Sequence, residues 1–148
     1  MTALRHELQR AYDAIAVKEV IARVAARRAN AALRARERVI RFSGPIFEEV
    51  ERTHAEGAAV GDDAAQGAAH ARLRELLADL ILADLRALPR RAGDAPPTIE
   101  YELLARWVAS TFVVVLDWWR QSATQLPARE ANDRFRALVL PALGDVLG

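Results

Sequence analysis

Apolar and charged positions follow a clear helical period between residues 70 and 89. Leucine and isoleucine recur at intervals of three and four residues, which places them on one face of an α-helix. Charged residues fill the opposite face, and Pro89 follows the last apolar position. This stretch therefore predicts an amphipathic helix that Pro89 ends. Its apolar positions are Leu73, Leu76, Leu77, Leu80, Ile81, Leu85 and Leu88.

The first part of the chain also predicts helices, although the spacing of its apolar residues is less regular. Residues 3 to 42 contain neither proline nor glycine and indicate two helices, or one bent helix. A Ser-Gly-Pro run at residues 43 to 45 is the first clear break, because the residue before proline avoids helical backbone angles. We expect a short helix from Ile46 to about Ala55. Residues 57 to 67 offer no anchoring side chain and are expected to form a loop.

Residues 99 to 120 show a conflict between local propensity and long-range order. The run from Ser110 to Leu116 is rich in β-branched side chains, which favour strands. However, no other segment offers a partner strand, and a lone strand leaves its backbone groups unpaired. Apolar positions such as Leu103 and Trp107 also have helical spacing. A helix is therefore the prediction.

This helix and the last one in the chain are unusually apolar. The first is apolar around its whole circumference, and a helix of that kind is buried on all sides. In a chain of 148 residues few other helices can bury it, so the last two helices are expected to form a homodimer interface that backs onto a core. Residues 1–148 are predicted to form a single all-α domain, an antiparallel bundle of about five to six helices.

Several features of the C-terminal third occur together. They are the Trp118-Trp119 pair that ends the long helix, a short polar loop, Pro127 with Glu130 at the start of the last helix, and the run from Phe135 to Pro141. With these features the stretch resembles the C-terminal half of TetR-type transcriptional regulators, and the likeness extends more weakly back to His70. One departure is that Arg120-Gln121 stands where that family commonly has Leu-Glu.

The resemblance implies a dimer interface and an effector cavity. In the family, the last two helices of two subunits pair as a four-helix bundle, and an effector binds among the middle helices. For this chain, the residues expected to pair are Trp119, Phe135, Leu138, Val139 and Ala142. The residues expected to line a cavity for a hydrophobic or aromatic effector are Trp107, Tyr101, Phe112 and Leu77. Rings can supply contact area there, and an O–H or indole N–H can orient a ligand.

Full-length regulators of this type begin with a three-helix DNA-binding headpiece. Residues 12 to 23 superficially resemble the entry into its second helix. The turn between reading helices should contain glycine, but Val24 to Arg38 has none and is compatible with unbroken helix. We therefore expect this chain to lack its own helix-turn-helix and to make no direct contact with DNA.

Composition excludes several classes of function. With 21 basic and 20 acidic residues, the formal net charge is +1, so no overall field marks a nucleic-acid or membrane binder. The chain has no cysteine, which excludes thiolate chemistry and fits a reducing cytoplasm. It has neither the pattern of a signal peptide nor an apolar run long enough for a membrane span. We expect a cytoplasmic protein.

Catalytic and metal-binding patterns are sparse in this sequence. The three histidines, His6, His54 and His70, are scattered and form no pair of metal ligands, and there is no glycine-rich phosphate loop. His70 is interpreted as a solvated residue at the start of a helix. We therefore predict that the protein is not an enzyme and binds no metal or cofactor.

Two alternatives to an effector-binding dimer stay open. One is an α-helical homodimeric interaction module without a small-molecule ligand. The other is a basic nucleic-acid binder, suggested by seven arginines within residues 23 to 41. Four of these arginines would lie near one helical face, although a solvated face is the simpler interpretation. They are Arg27, Arg34, Arg38 and Arg41.

Overall fold

The structure is a computed structural model that describes residues 19, 34–55, 63–90, 92–122 and 126–147. These residues form four long helices and one short helix, with no strand among them. The helices are α1 (Ala35–Val39), α2 (Ser43–Ala55), α3 (Asp63–Arg86), α4 (Tyr101–Gln121) and α5 (Ala128–Leu147). The predicted all-α fold is confirmed for this part of the chain. The prediction of a missing DNA-reading headpiece concerns residues 1–18 and 20–33, which lie outside the description.

Local structure corrects two predicted boundaries. Residues 40 to 42 form a turn that separates α1 from α2. Pro45 lies in the first turn of α2 instead of ending a helix. Proline is tolerated there because its missing N–H would have no helical partner. Helix α3 begins at Asp63, inside the expected loop. Residues 110 to 116 lie within α4, so helical spacing prevails over strand propensity.

A cluster of phenylalanine rings forms the centre of the fold. Between ring centroids, Phe112 of α4 lies 5.2 Å from Phe42 and 4.9 Å from Phe47. Phe112 also lies 5.3 Å from Phe135 of α5, which is itself 6.0 Å from Phe42. Tilted and edge-to-face pairs of this kind are favourable because a positive ring edge meets a negative ring face. All four rings are buried, so residues distant in sequence hold α4 in place.

Helix α3 runs antiparallel to α4. His70, in the first half of α3, lies opposite Asp117 near the end of α4. Arg86, at the end of α3, lies opposite Glu102 at the start of α4. These two contacts fix the relative direction of the helices.

Helix α5 returns along the other side of α4. The indole Nε1 of Trp119 donates a hydrogen bond to the carbonyl oxygen of Leu126 at 2.7 Å, which ties the connection to the end of α4. The Arg134 guanidinium then lies over the Trp118 ring, 5.9 Å from its centroid. Helix α4 therefore lies between α3 and α5, and both neighbours run antiparallel to it.

Polar contacts join α5 to α1 and α2. Both terminal nitrogens of Arg136 donate to the carboxylate of Glu37 at 2.7 Å. This hydrogen-bonded pair lowers the pKa of Glu37. At the start of α5, the backbone N–H of Ala128 donates to the Glu51 carboxylate at 2.6 Å. A carboxylate at a helix N-terminus satisfies a free donor and interacts well with the helix dipole.

No helix within the described ranges combines the length and the apolar character that a membrane crossing requires.

Candidate functional site

The outward side of α4 and α5 carries large apolar side chains that are exposed to solvent. Their exposed fractions are 58% for Leu103, 40% for Trp107, 65% for Val114, 47% for Trp118 and 57% for Leu138. We call these five side chains the apolar face. Soluble monomers rarely expose large contiguous apolar patches, and such patches usually mark a site of interaction.

The four members on α4 form one stripe along the helix. Their spacings of four, seven and four residues return to nearly the same side of the helix. Ser110 is exposed at the middle of this stripe. The hydroxyl of the neighbouring Thr111 donates to the carbonyl oxygen of Trp107 at 2.8 Å, so it is satisfied within the helix. The stripe therefore has large side chains toward both ends and small ones at its centre.

Leu138 extends the apolar face onto α5. The contact between Arg134 and Trp118 places the first half of α5 beside the end of α4. Because the helices are antiparallel, one turn beyond Arg134 brings Leu138 roughly level with Val114. The face is therefore continuous across two helices.

Of the five residues predicted to pair, three lie inside the single chain. Trp119, Phe135 and Val139 are buried in its own core. Phe135 packs against Phe42 and Phe112, and Trp119 packs against Phe47. Leu138 is a member of the apolar face, and Ala142 lies half-buried one turn beyond it.

Four members of the apolar face were not predicted as pairing residues, and one of them, Trp107, was predicted to line the effector cavity. Leu103, Val114 and Trp118 share the spacing of Trp107, so the signal was present in the sequence. However, α4 is apolar on most of its sides, and periodicity does not say which side the rest of the chain covers. Only the positions of α2, α3 and α5 reveal the side that is left exposed.

The four residues predicted to line an effector cavity are divided between core and surface. Leu77 and Phe112 are fully buried. Tyr101 is partly buried and packs against the core. Trp107 belongs to the apolar face, five residues from Phe112, and that spacing separates the two side chains by about 140° around the helix.

His70 is not the solvated helix end that the sequence suggested. Its side chain is mostly buried between α3 and α4, with Nε2 3.9 Å from a carboxylate oxygen of Asp117. Burial lowers the pKa of His70 below its usual 6.5, and Arg120 and Arg74 lower it further, while Asp117 opposes the shift. The imidazole is therefore predominantly neutral at pH 7.

One arginine of the predicted basic stripe, Arg41, forms an ion pair within the fold. The guanidinium of Arg41 lies 3.5 Å from the carboxylate of Asp84, and both side chains are largely buried. Arg34 is exposed and Arg38 is half-buried, whereas Arg27 lies outside the described residues. Arg41 thus joins the start of α2 to α3 and is not presented to a phosphate backbone.

Comparison with known proteins assigns no family. No protein-family model, curated protein or solved structure matches this chain. Within the described ranges, no group of three or more His, Cys, Asp or Glu side chains is placed to hold a metal ion. Among the described residues, the apolar face is the feature that is typical of an interaction site.

Proposed function

We propose that this chain is a homodimerisation domain, similar to the one that TetR-type transcriptional regulators carry at their C-terminus. Helices α4 and α5 of two copies would pair across the apolar face as a four-helix bundle. The exposure of five large apolar side chains on two adjacent helices is the observation that carries this proposal. A role in transcription rests on the sequence resemblance alone.

The dimensions of the surface suit a protein interface. Helices α4 and α5 have 21 and 20 residues, so each is about 30 Å long. Two adjacent helices, each about 10 Å wide, present a surface of roughly 600 Å². Specific interfaces bury about 800 Å² of solvent-accessible surface on each partner. Protruding side chains make this accessible surface larger than the flat projected area. Pairing along the full length of both helices reaches this range.

The composition of the surface also suits an interface. Trp107 and Trp118 contribute large rings, and tryptophan and arginine are enriched among the residues that dominate binding energy. Arg134 already packs over Trp118 within one chain, so both side chains are partly ordered before association. Ordering before association reduces the entropy that is lost on binding.

Effector binding is the second part of what the resemblance implies. Tyr101 and Trp107 keep partial exposure near the start of α4 and are the residues through which we propose that a small aromatic ligand would act. The test is a thermal melt in the presence of small aromatic compounds, where a rise in melting temperature that Tyr101→Ala abolishes supports an effector. No shift with any compound favours the ligand-free homodimer.

Analytical ultracentrifugation of the full chain tests the dimer. The wild type is expected to sediment at twice the monomer mass at micromolar concentration. Val114→Glu places a charge within the apolar face and is expected to yield monomers with unchanged helical content. Val114 is largely exposed in the single chain, so its substitution should not disturb the fold.

Ala83→Glu provides the matched control. Ala83 is exposed on α3, outside the apolar face, so the same charge added to a helix there should leave the dimer intact. A wild type that remains monomeric at the highest attainable concentration would refute the proposal. Equal effects of Val114→Glu and Ala83→Glu would remove the apolar face as its basis.

A further inference from the structure

Charged side chains border the apolar face along both of its long edges. On α5, Arg134 and Asp145 are eleven residues apart and exposed. Eleven residues are about three helical turns, so both lie on the same side of α5, about 16 Å apart. On α4, Arg106 and Asp117 have the same spacing and lie on the edge nearest α3. Asp117 is part of this edge because it contacts His70 of α3.

The signs of these charges alternate around the face. Arg134 and Asp117 both lie at the end of the face that contains Trp118. Arg134 packs over the Trp118 ring, and Asp117 directly precedes Trp118 in the sequence. Asp145 and Arg106 lie at the opposite end, because α4 and α5 are antiparallel. We call the positions of these four charged residues the corners of the apolar face. Each corner therefore has a neighbour of opposite charge along its own helix and another across the two helices.

A surface with this alternation complements a second copy of itself. In a two-fold symmetric dimer each copy presents the same patch, and the axis lies in the plane of contact. Whether that axis runs along or across the helices, every corner meets a corner of opposite sign. A partner of uniform charge would be repelled at two of the four corners. The charge pattern therefore selects a second copy as the occupant.

The shape of the α4 stripe distinguishes between the two axes. Leu103 and Trp107 precede Ser110, whereas Val114 and Trp118 follow it at similar spacing. An axis that crosses α4 near Ser110 lays this helix antiparallel on its copy. The small side chains then meet where the backbones approach most closely, and the large ones fill the ends. An axis along the helices would instead set Ser110 against α5.

We propose that two copies pair about an axis that crosses α4 near Ser110, with Arg134 of each copy facing Asp145 of the partner subunit. This register rests on the proposed dimer and specifies its geometry. Asp117 is already engaged, since Gln121 Nε2 donates to it at 3.3 Å and His70 lies 3.9 Å away. The carboxylate of Asp145 makes no ion pair within the described residues, so it has free capacity for Arg134.

A single introduced thiol reports the register, because the chain contains no cysteine. Ser110→Cys is expected to give an inter-subunit disulfide under mild oxidation, since the axis brings this position against its own copy. A disulfide requires Cα atoms within roughly 4.4 to 6.8 Å. Ala83→Cys, at an exposed position of α3 outside the face, is the control and should remain uncrosslinked at the same concentration.

Charge reversal tests the paired residues. Arg134→Asp and Asp145→Arg should each raise the dimer dissociation constant about tenfold at low salt, because two symmetry-related contacts become repulsive. The double variant should restore wild-type affinity, and the single effects should shrink at high salt. Arg129→Asp makes the same charge change at an exposed position on the other side of α5, and it should leave the dissociation constant within about twofold.

The outcomes separate the register from the dimer itself. A wild type that stays monomeric would overturn both. A wild-type dimer that Ser110→Cys does not crosslink would overturn the register alone. Restoration of Arg134→Asp by Asp117→Arg, in place of Asp145→Arg, would assign the axis along the helices and also overturn the register. Circular dichroism of each variant verifies that the helices are retained.

Discussion

On α4, the inward and outward sides carry side chains of the same chemical kind. Phe112 and Val108 point inward and are fully buried against other helices of the chain. Trp107 and Val114 point outward and are exposed. Burial of the inward side contributes to folding at roughly 25 cal/mol per Å² of apolar surface. The outward side can make the same contribution only when another molecule covers it, so its effect depends on protein concentration.

The largest expected difference between these two sides concerns their aromatic rings. Phe112→Ala removes the ring at the centre of the phenylalanine cluster and should lower the free energy of unfolding by about 3 to 5 kcal/mol. Trp107→Ala should lower that of the monomer by less than about 1 kcal/mol, because its ring is already partly solvated. Urea unfolding at low protein concentration measures both. Similar losses would contradict the division of α4 into a core side and a surface side.

The neighbouring residues Val139 and Leu138 sharpen the comparison on α5. Val139→Ala should lower the free energy of unfolding by about 2 kcal/mol, because Val139 is fully buried. Leu138→Ala should change the unfolding of the monomer by less than about 0.5 kcal/mol. It should instead weaken the proposed dimer, as measured by sedimentation equilibrium. Dimer weakening by Val139→Ala alone would reverse the assignment of the two sides.

The ion pair between Glu37 and Arg136 joins α1 to α5, and its removal tests how much this contact stabilises the fold. Glu37→Gln should lower the free energy of unfolding by about 1 kcal/mol at pH 7, a modest value because both side chains are partly exposed. The folded-state pKa of Glu37 lies below its usual 4.5, so the stabilisation is complete above pH 4.5. It should be lost as the pH falls through the folded-state pKa. Unfolding curves from pH 7 to pH 3 should therefore show the variant and wild type converging.

The smallest expected effect concerns His70 at the edge of the apolar face. Burial lowers its folded-state pKa below 6.5, so the unfolded chain takes up this proton first as the pH falls. The contribution of neutral His70 to stability is therefore complete above about pH 6.5 and declines below it. His70→Gln should reduce the loss of melting temperature between pH 7.5 and 5.5. An unchanged pH dependence would contradict burial of the imidazole between α3 and α4.

Much of the helical structure could be predicted from the sequence. The leucine period and Pro89 predicted α3 and its end, and helical spacing predicted α4 despite its β-branched run. These signals are local, since helix period and proline geometry act over a few residues. The expected loop reached Gly67, beyond the start of α3 at Asp63, because the first residues of α3 have mainly small side chains, which carry no period.

The candidate site depended on contacts that no local pattern records. The sequence showed that α4 and α5 are too apolar for full exposure, but it assigned Trp119, Phe135 and Val139 to pairing. Phe42 and Phe47, from a distant part of the chain, pack against Phe135 and Trp119 respectively, and Val139 is fully buried as well.

The sequence by itself therefore determined the helical class and the apolar character of the last two helices, because both follow from short-range periodicity and composition. Only the tertiary structure decided which side of these helices stays exposed. Long-range packing makes that choice: whichever side α1, α2 and α3 cover becomes core, and the remaining stripe from Leu103 to Trp118 is left exposed.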